Sequence, residues 1–273
     1  MTDYQQRTSR NWGYIEDVTQ KKIQEQRLVI AGCGMGSVLA EVAARIGFCN
    51  FVLIDGDEVE IHNLNRQAFL NADIGERKVV ALKNKLHAIN PNINVEVHDE
   101  FLTSENVKTM VQTGDIVLDT IDFLDLEAVT TLHDYCFQNK ITIMSAMNAG
   151  FGSMAIFIPP MEADTTPFRK IFGVTEGMNL KEASYSELYI QLFQRLAPAL
   201  DPKVVEIMQK VFQKMADGQP CPAPQVAPGS YATGSLVVTA LCRHLAGDPV
   251  MQAPAMIGVN LNDLCQVEIL RLL

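Results

Sequence analysis

Residues 32–37 read Gly-Cys-Gly-Met-Gly-Ser, set between an apolar run at 28–31 and a pattern of small and apolar residues that continues to Ile46, where Gly47 stops it. The run predicts a strand, the glycines a tight turn, and the pattern after them a helix. Gly32, Gly34 and Gly36 let the backbone come close to a phosphate, and the free N–H groups at the helix start supply positive potential there. A second strand is predicted over 51–54, and Asp55 at its tip, about 20 residues on, is where a ribose hydroxyl would be held. The unit reads as a nucleotide site. Its spacing is compressed relative to G-x-G-x-x-G, because the sixth position is Ser37, and such turns serve NAD, FAD, S-adenosylmethionine and ATP alike. Lys78 falls in the first turn of a helix predicted over 76–89, the poorer end for a cation, and a phosphate there would remove the conflict. Asp122 follows a buried strand predicted over 115–119, at the carboxyl end where open α/β sheets place their ligands.

The elements that must hold these groups can be read in order. Residues 1–9 are polar and read as flexible, and 16–26 as a helical lead-in to the first strand. In the helix over 76–89, Val79, Val80, Leu82, Leu86 and Ile89 share one face; Asn90-Pro91 ends it, and 94–98 alternates as a strand. A short helix over 103–112, a helix over 127–139, strands over 141–145 and 153–158, and a turn at 149–152 follow. Residues 159–179 read as loop, 180–196 and 202–216 as helices, 218–229 as a proline-rich connection, 235–246 as an apolar helix, and 255–260 with 265–270 as a closing hairpin. No internal repeat is present.

Composition narrows the function classes. With 273 residues, nearly half of them apolar, the chain can bury a sizeable core. A formal net charge of −10, with its one dense basic stretch at 83–85 inside a helix, disfavours nucleic acid as main partner. Six cysteines, at 33, 49, 136, 221, 242 and 265, include no C-x-x-C pair, so neither a disulfide framework nor a four-cysteine zinc site is expected. No run approaches the ~18 apolar residues of a membrane helix, and residues 1–10 lack a signal-peptide core, so a soluble cytoplasmic protein is expected.

Four motifs taken together resemble one family. The glycine turn, the block LIDGDEVEIHNLNRQ at 53–67, IGERK at 74–78 and DIVLDTID at 115–122 are similar, in the same order, to those of the ATP-dependent adenylyltransferases of the E1-like group, the ThiF, MoeB and HesA relatives of the ubiquitin-like activating enzymes. The resemblance covers roughly residues 10 to 160 and implies a fold and a reaction. The fold is a single α/β domain: a Rossmann-like, mostly parallel sheet extended by antiparallel strands, with helices on both faces. Its segments would be an N-terminal arm and helix (1–26), a nucleotide-binding core (27–160), a helical insertion or substrate element (161–220), and a C-terminal helix and strands (221–273). The reaction is attack of a carboxylate on the α-phosphorus of ATP, giving an acyl-adenylate and pyrophosphate. Because charge accumulates on phosphate oxygens, such a reaction needs cations and Mg2+ and no general base.

The same resemblance assigns roles. Arg66 and Lys78 neutralise phosphates, Asp122 holds the magnesium, Asp55 the ribose, and Asp57, Asn63 and Gln67 complete the nucleotide site with Gly32, Gly34, Gly36 and Ser37. Arg10 reaches the phosphates of a partner subunit, which implies a homodimer. Partners would be a ubiquitin-like or sulfur-carrier protein, or a peptide. Phe123 stands where the family usually has Asn. Among the cysteines, Cys221 is the candidate for a thioester acceptor, and Cys33, Cys136 and Cys242 read as packing residues. Structural alternatives have Arg66 and Gln67 pinning the loop to Asp57, and Trp12 as a packed anchor beside a surface Arg10. Functional alternatives are carboxylate activation and cyclisation on a modified adenosine, as in tRNA threonylcarbamoyladenosine dehydratases, echoed by residues 144–150, and a nucleotide-binding relative without turnover.

Overall fold

Within the run 28–31 successive side chains enter different cores. Leu28 and Ile30 pack with Leu39, Leu82 and Val237, whereas Val29 and Ala31 pack with Val117, Leu132 and Ile156. A strand buried on both sides requires a layer of helices on each face.

The computed structural model describes residues 1–122, 125–180, 185–217, 224–261 and 266–271. Helices α1 (Asp3–Arg7) and α2 (Asp17–Glu25) lead into β1 (Arg27–Ala31), α3 (Cys33–Ile46), β2 (Asn50–Ile54), α4 (Lys78–Ile89), β3 (Asn94–His98), α5 (Val107–Met110), β4 (Ile116–Asp119), α6 (Leu126–Gln138), β5 (Thr142–Ala149) and β6 (Gly152–Ile158). Then come α7 (Pro167–Phe172), α8 (Tyr185–Leu196), α9 (Pro202–Ala216), α10 (Ala227–Ala246), β7 (Ala255–Asn260) and β8 (Gln266–Arg271). The strands form one sheet of order β3-β2-β1-β4-β5-β6-β7-β8. Pairing is parallel from β3 to β5 and antiparallel from β5 to β8. This is the expected mostly parallel sheet with an antiparallel extension. Helices α3, α4 and α10 cover one face, and α6, α7 and α8 the other. Among the described residues no helix is long and apolar enough to cross a membrane.

Four local expectations are corrected. Residues 3–7 form a helix closed by a capping box, in which the Thr2 hydroxyl accepts from Gln5 N at 3.2 Å and the Gln5 side chain accepts from Thr2 N at 2.8 Å. Tyr4 ties this helix down by donating to the Gly47 carbonyl at 3.0 Å. The helix expected over 103–112 contracts to the single turn of α5. The loop expected over 159–179 contains α7, whose Phe168, Ile171 and Phe172 are buried. Helix α10 starts at Ala227, eight residues before the expected start at Ser235. Pro228 does not break it, because a proline in the first turn lacks an N–H that the helix would leave unused. Gly229 is required there for a different reason: a Cβ would collide with the Gly150 carbonyl oxygen.

Candidate active site

The order of the sheet turns back between β1 and β4, and a cavity of about 540 Å³ opens where these strands end. Gly32 follows β1 directly, with φ +87° and its N–H donating to the Ile54 carbonyl at 2.9 Å. Both Gly32 and Gly34 line the cavity. Gly36 and Ser37 do not; they stand behind the turn. A Cβ on Gly36 would lie 2.5 Å from Ile30 Cγ2, and the Ser37 hydroxyl donates to the Gly34 carbonyl at 2.6 Å while accepting from Ala68 N at 2.9 Å. These two residues hold the turn in shape.

Asp55, at the tip of β2, accepts from Cys33 N at 2.6 Å with one oxygen and from Asp57 N at 2.8 Å with the other. Burial pushes its carboxyl above the usual carboxylate range, against the pull of the Lys78 charge and these two N–H groups. A carboxylate offers about four lone-pair positions, so two remain for a ligand. Asn63 builds the turn that carries Arg66: its side chain accepts from Glu60 N at 3.0 Å, and its carbonyl accepts from Arg66 N at 3.1 Å and Gln67 N at 2.9 Å. Gln67 is buried against the glycine turn, its Nε2 3.1 Å from where a Gly34 Cβ would stand.

Arg66, Lys78 and Asp122 all line the same cavity as Gly32 and Gly34. Lys78 is the first residue of α4 and is buried; its ammonium lies 2.7 Å from Asp57 Oδ2. Burial draws the Arg66 guanidinium below its ordinary value, and the negative charge of Asp122 opposes that. Asp57 therefore pairs with Lys78, and not with Arg66 or Gln67. Arg10 sits in a short turn at 9–11, exposed and outside this chain's cavity. Trp12 beside it is 84% exposed, so it is no packed anchor within the chain.

Gln225 has no signal in the sequence, and Asn148 none beyond its place in the echoed stretch 144–150. Gln225, on the segment entering α10, accepts from Arg66 Nε at 2.6 Å with its side chain and from Asn65 Nδ2 at 3.0 Å with its carbonyl. Asn148 at the end of β5 also lines the cavity, held by its amide donating to Ser230 Oγ at 2.8 Å. Residues from α8 and α9 close one side. Both helices fall in the stretch 161–220, expected as a helical insertion or substrate element.

A buried Ser-His-Asp set lies nearby without being a relay. His133 Nε2 is 3.0 Å from Asp119 Oδ2 and 2.8 Å from Ser145 Oγ, and the serine donates to the aspartate at 2.8 Å. Both partners share one ring nitrogen, whereas a hydrolase base bridges nucleophile and acid through two. The set ties α6 to β4 and β5. Nor does any described cysteine line the cavity. Burial raises the Cys33 and Cys136 thiols well above their ordinary range and pushes Cys242 up to about 11. In the native protein near pH 7.5, Cys33 and Cys136 are expected to react with iodoacetamide only through unfolding, and half-buried Cys49 faster, as peptide mass spectrometry would record. Cys221, Cys265 and Phe123 lie outside the described residues.

Among the described residues no three His, Cys, Asp or Glu are grouped to hold a metal ion. Magnesium at a nucleotide does not need such a cage: one or two carboxylates suffice when phosphates and waters complete the shell. The carboxylate of Asp122, in the same cavity as Arg66 and Lys78, fits that pattern.

Comparison with known proteins places the chain in a family and matches its fold. The model of the ThiF family matches residues 6–270. The tRNA threonylcarbamoyladenosine dehydratase of Haemophilus influenzae is 33% identical over 139 residues, 50% of this chain and 52% of that protein. The sulfur carrier protein ThiS adenylyltransferase of Escherichia coli is 31% identical over 148 residues, 54% of this chain and 58% of that protein. The chain thus spans about half the length of the curated relatives it matches. The crystal structure of E. coli MccB with ATP superposes with a TM-score of 0.71 over 97% of this chain and 70% of that one, at 19% identity, which is a likeness of fold.

Proposed function

The chain belongs to the ThiF family, and from that premise we propose that it is an ATP- and magnesium-dependent adenylyltransferase that activates a carboxylate. One observation carries the reading: Arg66, Lys78 and Asp122, from three separate segments, line one cavity with the glycine turn. The carboxylate oxygen forms a bond to the α-phosphorus of ATP, the bond to the β-phosphate oxygen breaks, and pyrophosphate leaves with its electrons. No proton moves at the nucleophile, which is already ionised. Arg66 and Lys78 neutralise the phosphate oxygens as charge builds, in a half-buried setting where their charges count for more than in water. Asp55 holds the ribose with the acceptor positions its two N–H partners leave open. Asp122 would hold magnesium, which when bound neutralises phosphate charge. Arg10, exposed at the N-terminal turn, is the proposed contribution of a second copy, so a homodimer is expected by light scattering.

The carboxylate belongs to a ubiquitin-like or sulfur-carrier protein or to a peptide, and a cytoplasmic setting suits such partners. A second reading takes support from the dehydratase relative and from the placement of Ala146, Met147 and Asn148 on the cavity wall, where the echoed segment 144–150 runs. The net charge of −10 opposes it, since tRNA would have to approach an acidic protein. ATP–pyrophosphate exchange decides between them. Exchange that requires a carrier protein or peptide is the expected result; exchange that requires tRNA would favour the dehydratase reading. Tight ATP binding with no exchange in any mixture would favour a relative that has lost turnover.

A further inference from the structure

The cavity does not end at its charged groups. Beyond the end of β5 it continues along a wall of aliphatic and thioether side chains: Met147 and Met154 from β5 and β6, Leu192 and Leu196 from α8, Val204 and Met208 from α9. Each of these six is less than 10% exposed. The wall is a constructed feature. Val204 and Met208 are four residues apart on α9 and so share a face, and with Phe193 and Val211 they form a small core that holds α8 and α9 together as a unit. That unit seats on the sheet at Gly150, where a Cβ would come within 3.3 Å of Val204 Cγ2.

The apolar part of ATP, its adenine, is held away from this wall. The ribose position at Asp55 places the nucleoside at the β1 and β2 side of the cavity, beside Phe101 and Leu102. Triphosphate oxygens belong with Arg66 and Lys78. The apolar wall lies on the β5 and β6 side, past Asp122, where the group attached to the attacking carboxylate must be. We infer that the carboxylate activated here bears a bulky apolar group, a branched aliphatic or aromatic side chain, in place of the bare glycine tail that the resemblance to ubiquitin-like activation would suggest. This inference rests on the adenylation reading. A glycine tail would leave this end of the cavity without a matching group, whereas an aliphatic group would fill it and take its own apolar surface out of water.

Acyl sulfamoyl adenosines, stable mimics of the acyl-adenylate, test it by calorimetry on the full chain. N-acetyl-leucyl and N-acetyl-phenylalanyl mimics are compared with N-acetyl-glycyl and N-acetyl-aspartyl ones, with ATP as reference. The leucyl mimic is expected to bind roughly tenfold to a hundredfold tighter than the glycyl one. Ile207→Asn and Leu200→Asn, at cavity-lining positions that are only partly buried and so tolerable for folding, should bring the two mimics to within a few fold. Equal affinity of all four mimics for the unmodified protein, or preference for the aspartyl one, would overturn the inference and leave adenylation standing. Failure of ATP and every mimic to bind would remove both.

Discussion

Replacing Lys78 with alanine is expected to slow acyl-adenylate formation by roughly 10²–10³-fold, the usual cost of deleting one preorganised charge partner of a developing anion. The fold should survive. Lys78 begins α4, where a cation meets the positive end of the helix dipole, so its removal relieves an unfavourable contact of about 0.3–1 kcal/mol. Its ion-pair partner Asp57 has a side chain 53% exposed and returns to water without leaving a buried unpaired charge. What the lysine also does is oppose the burial that raises the Asp55 carboxyl. A carboxyl whose folded pKa lies above its unfolded value contributes stability that is full below the unfolded value and is lost as pH rises through the folded one. Without Lys78 the folded value climbs further. The variant should therefore lose more stability near pH 7 than near pH 4, read as the shift in urea midpoint at each pH, while single-turnover adenylate formation reports the catalytic loss. A rate loss below about threefold would show that the lysine meets no phosphate in the transition state.

The same lysine shows why part of the site could be read before any fold was known. Its oddity is local: a cation at the wrong end of a predicted helix needs only the sequence around it. The glycine turn, Asp55 and Asp122 are legible for the same reason, since each sits at the junction of two short elements that patterning places well. Arg66 is legible only as a motif. Besides its neighbours His62 and Asn65 it touches Gln225, 159 positions away, and neither of that pair announces the other. The apolar wall is less legible still, because Leu192, Val204 and Met208 read as the buried face of any amphipathic helix. Only the packing of α8 and α9 over Gly150 turns that face toward the cavity. Local errors have physical causes too. Helix α7, six residues long, is too short to display a period, and Pro228 and Gly229 close a stretch that reads as a proline-rich connection although one suits a first turn and the other a close backbone crossing.

The glycines of the turn can be separated by experiment, because the same substitution fails for different reasons at each. In Gly32→Ala the new Cβ would lie 2.5 Å from the Thr120 carbonyl oxygen, 2.6 Å from its carbon and 2.8 Å from Ile121 N, all backbone atoms of the chain leaving β4. They cannot step aside, since Thr120 N donates to the Ala31 carbonyl at 2.9 Å and Gly32 N to that of Ile54. The φ of +87° adds roughly 1–3 kcal/mol of strain for a non-glycine residue, and forced overpacking roughly 1–3 kcal/mol more. Against a total stability of about 5–15 kcal/mol, that should lower the urea midpoint sharply or prevent folding. In Gly34→Ala the first atom met is Gln67 Nε2 at 3.1 Å, the end of a side chain that can shift, and the backbone needs no positive φ. Stability should change little. The methyl group instead stands on the cavity wall, where a phosphate would have to retreat by a fraction of an ångström, and ATP affinity should fall roughly tenfold to a hundredfold. Stability lost at Gly32 with affinity lost at Gly34 is the expected pattern. Equal stability losses at both would mean that the turn serves the sheet alone, and with it would go the assignment of this crevice to a nucleotide.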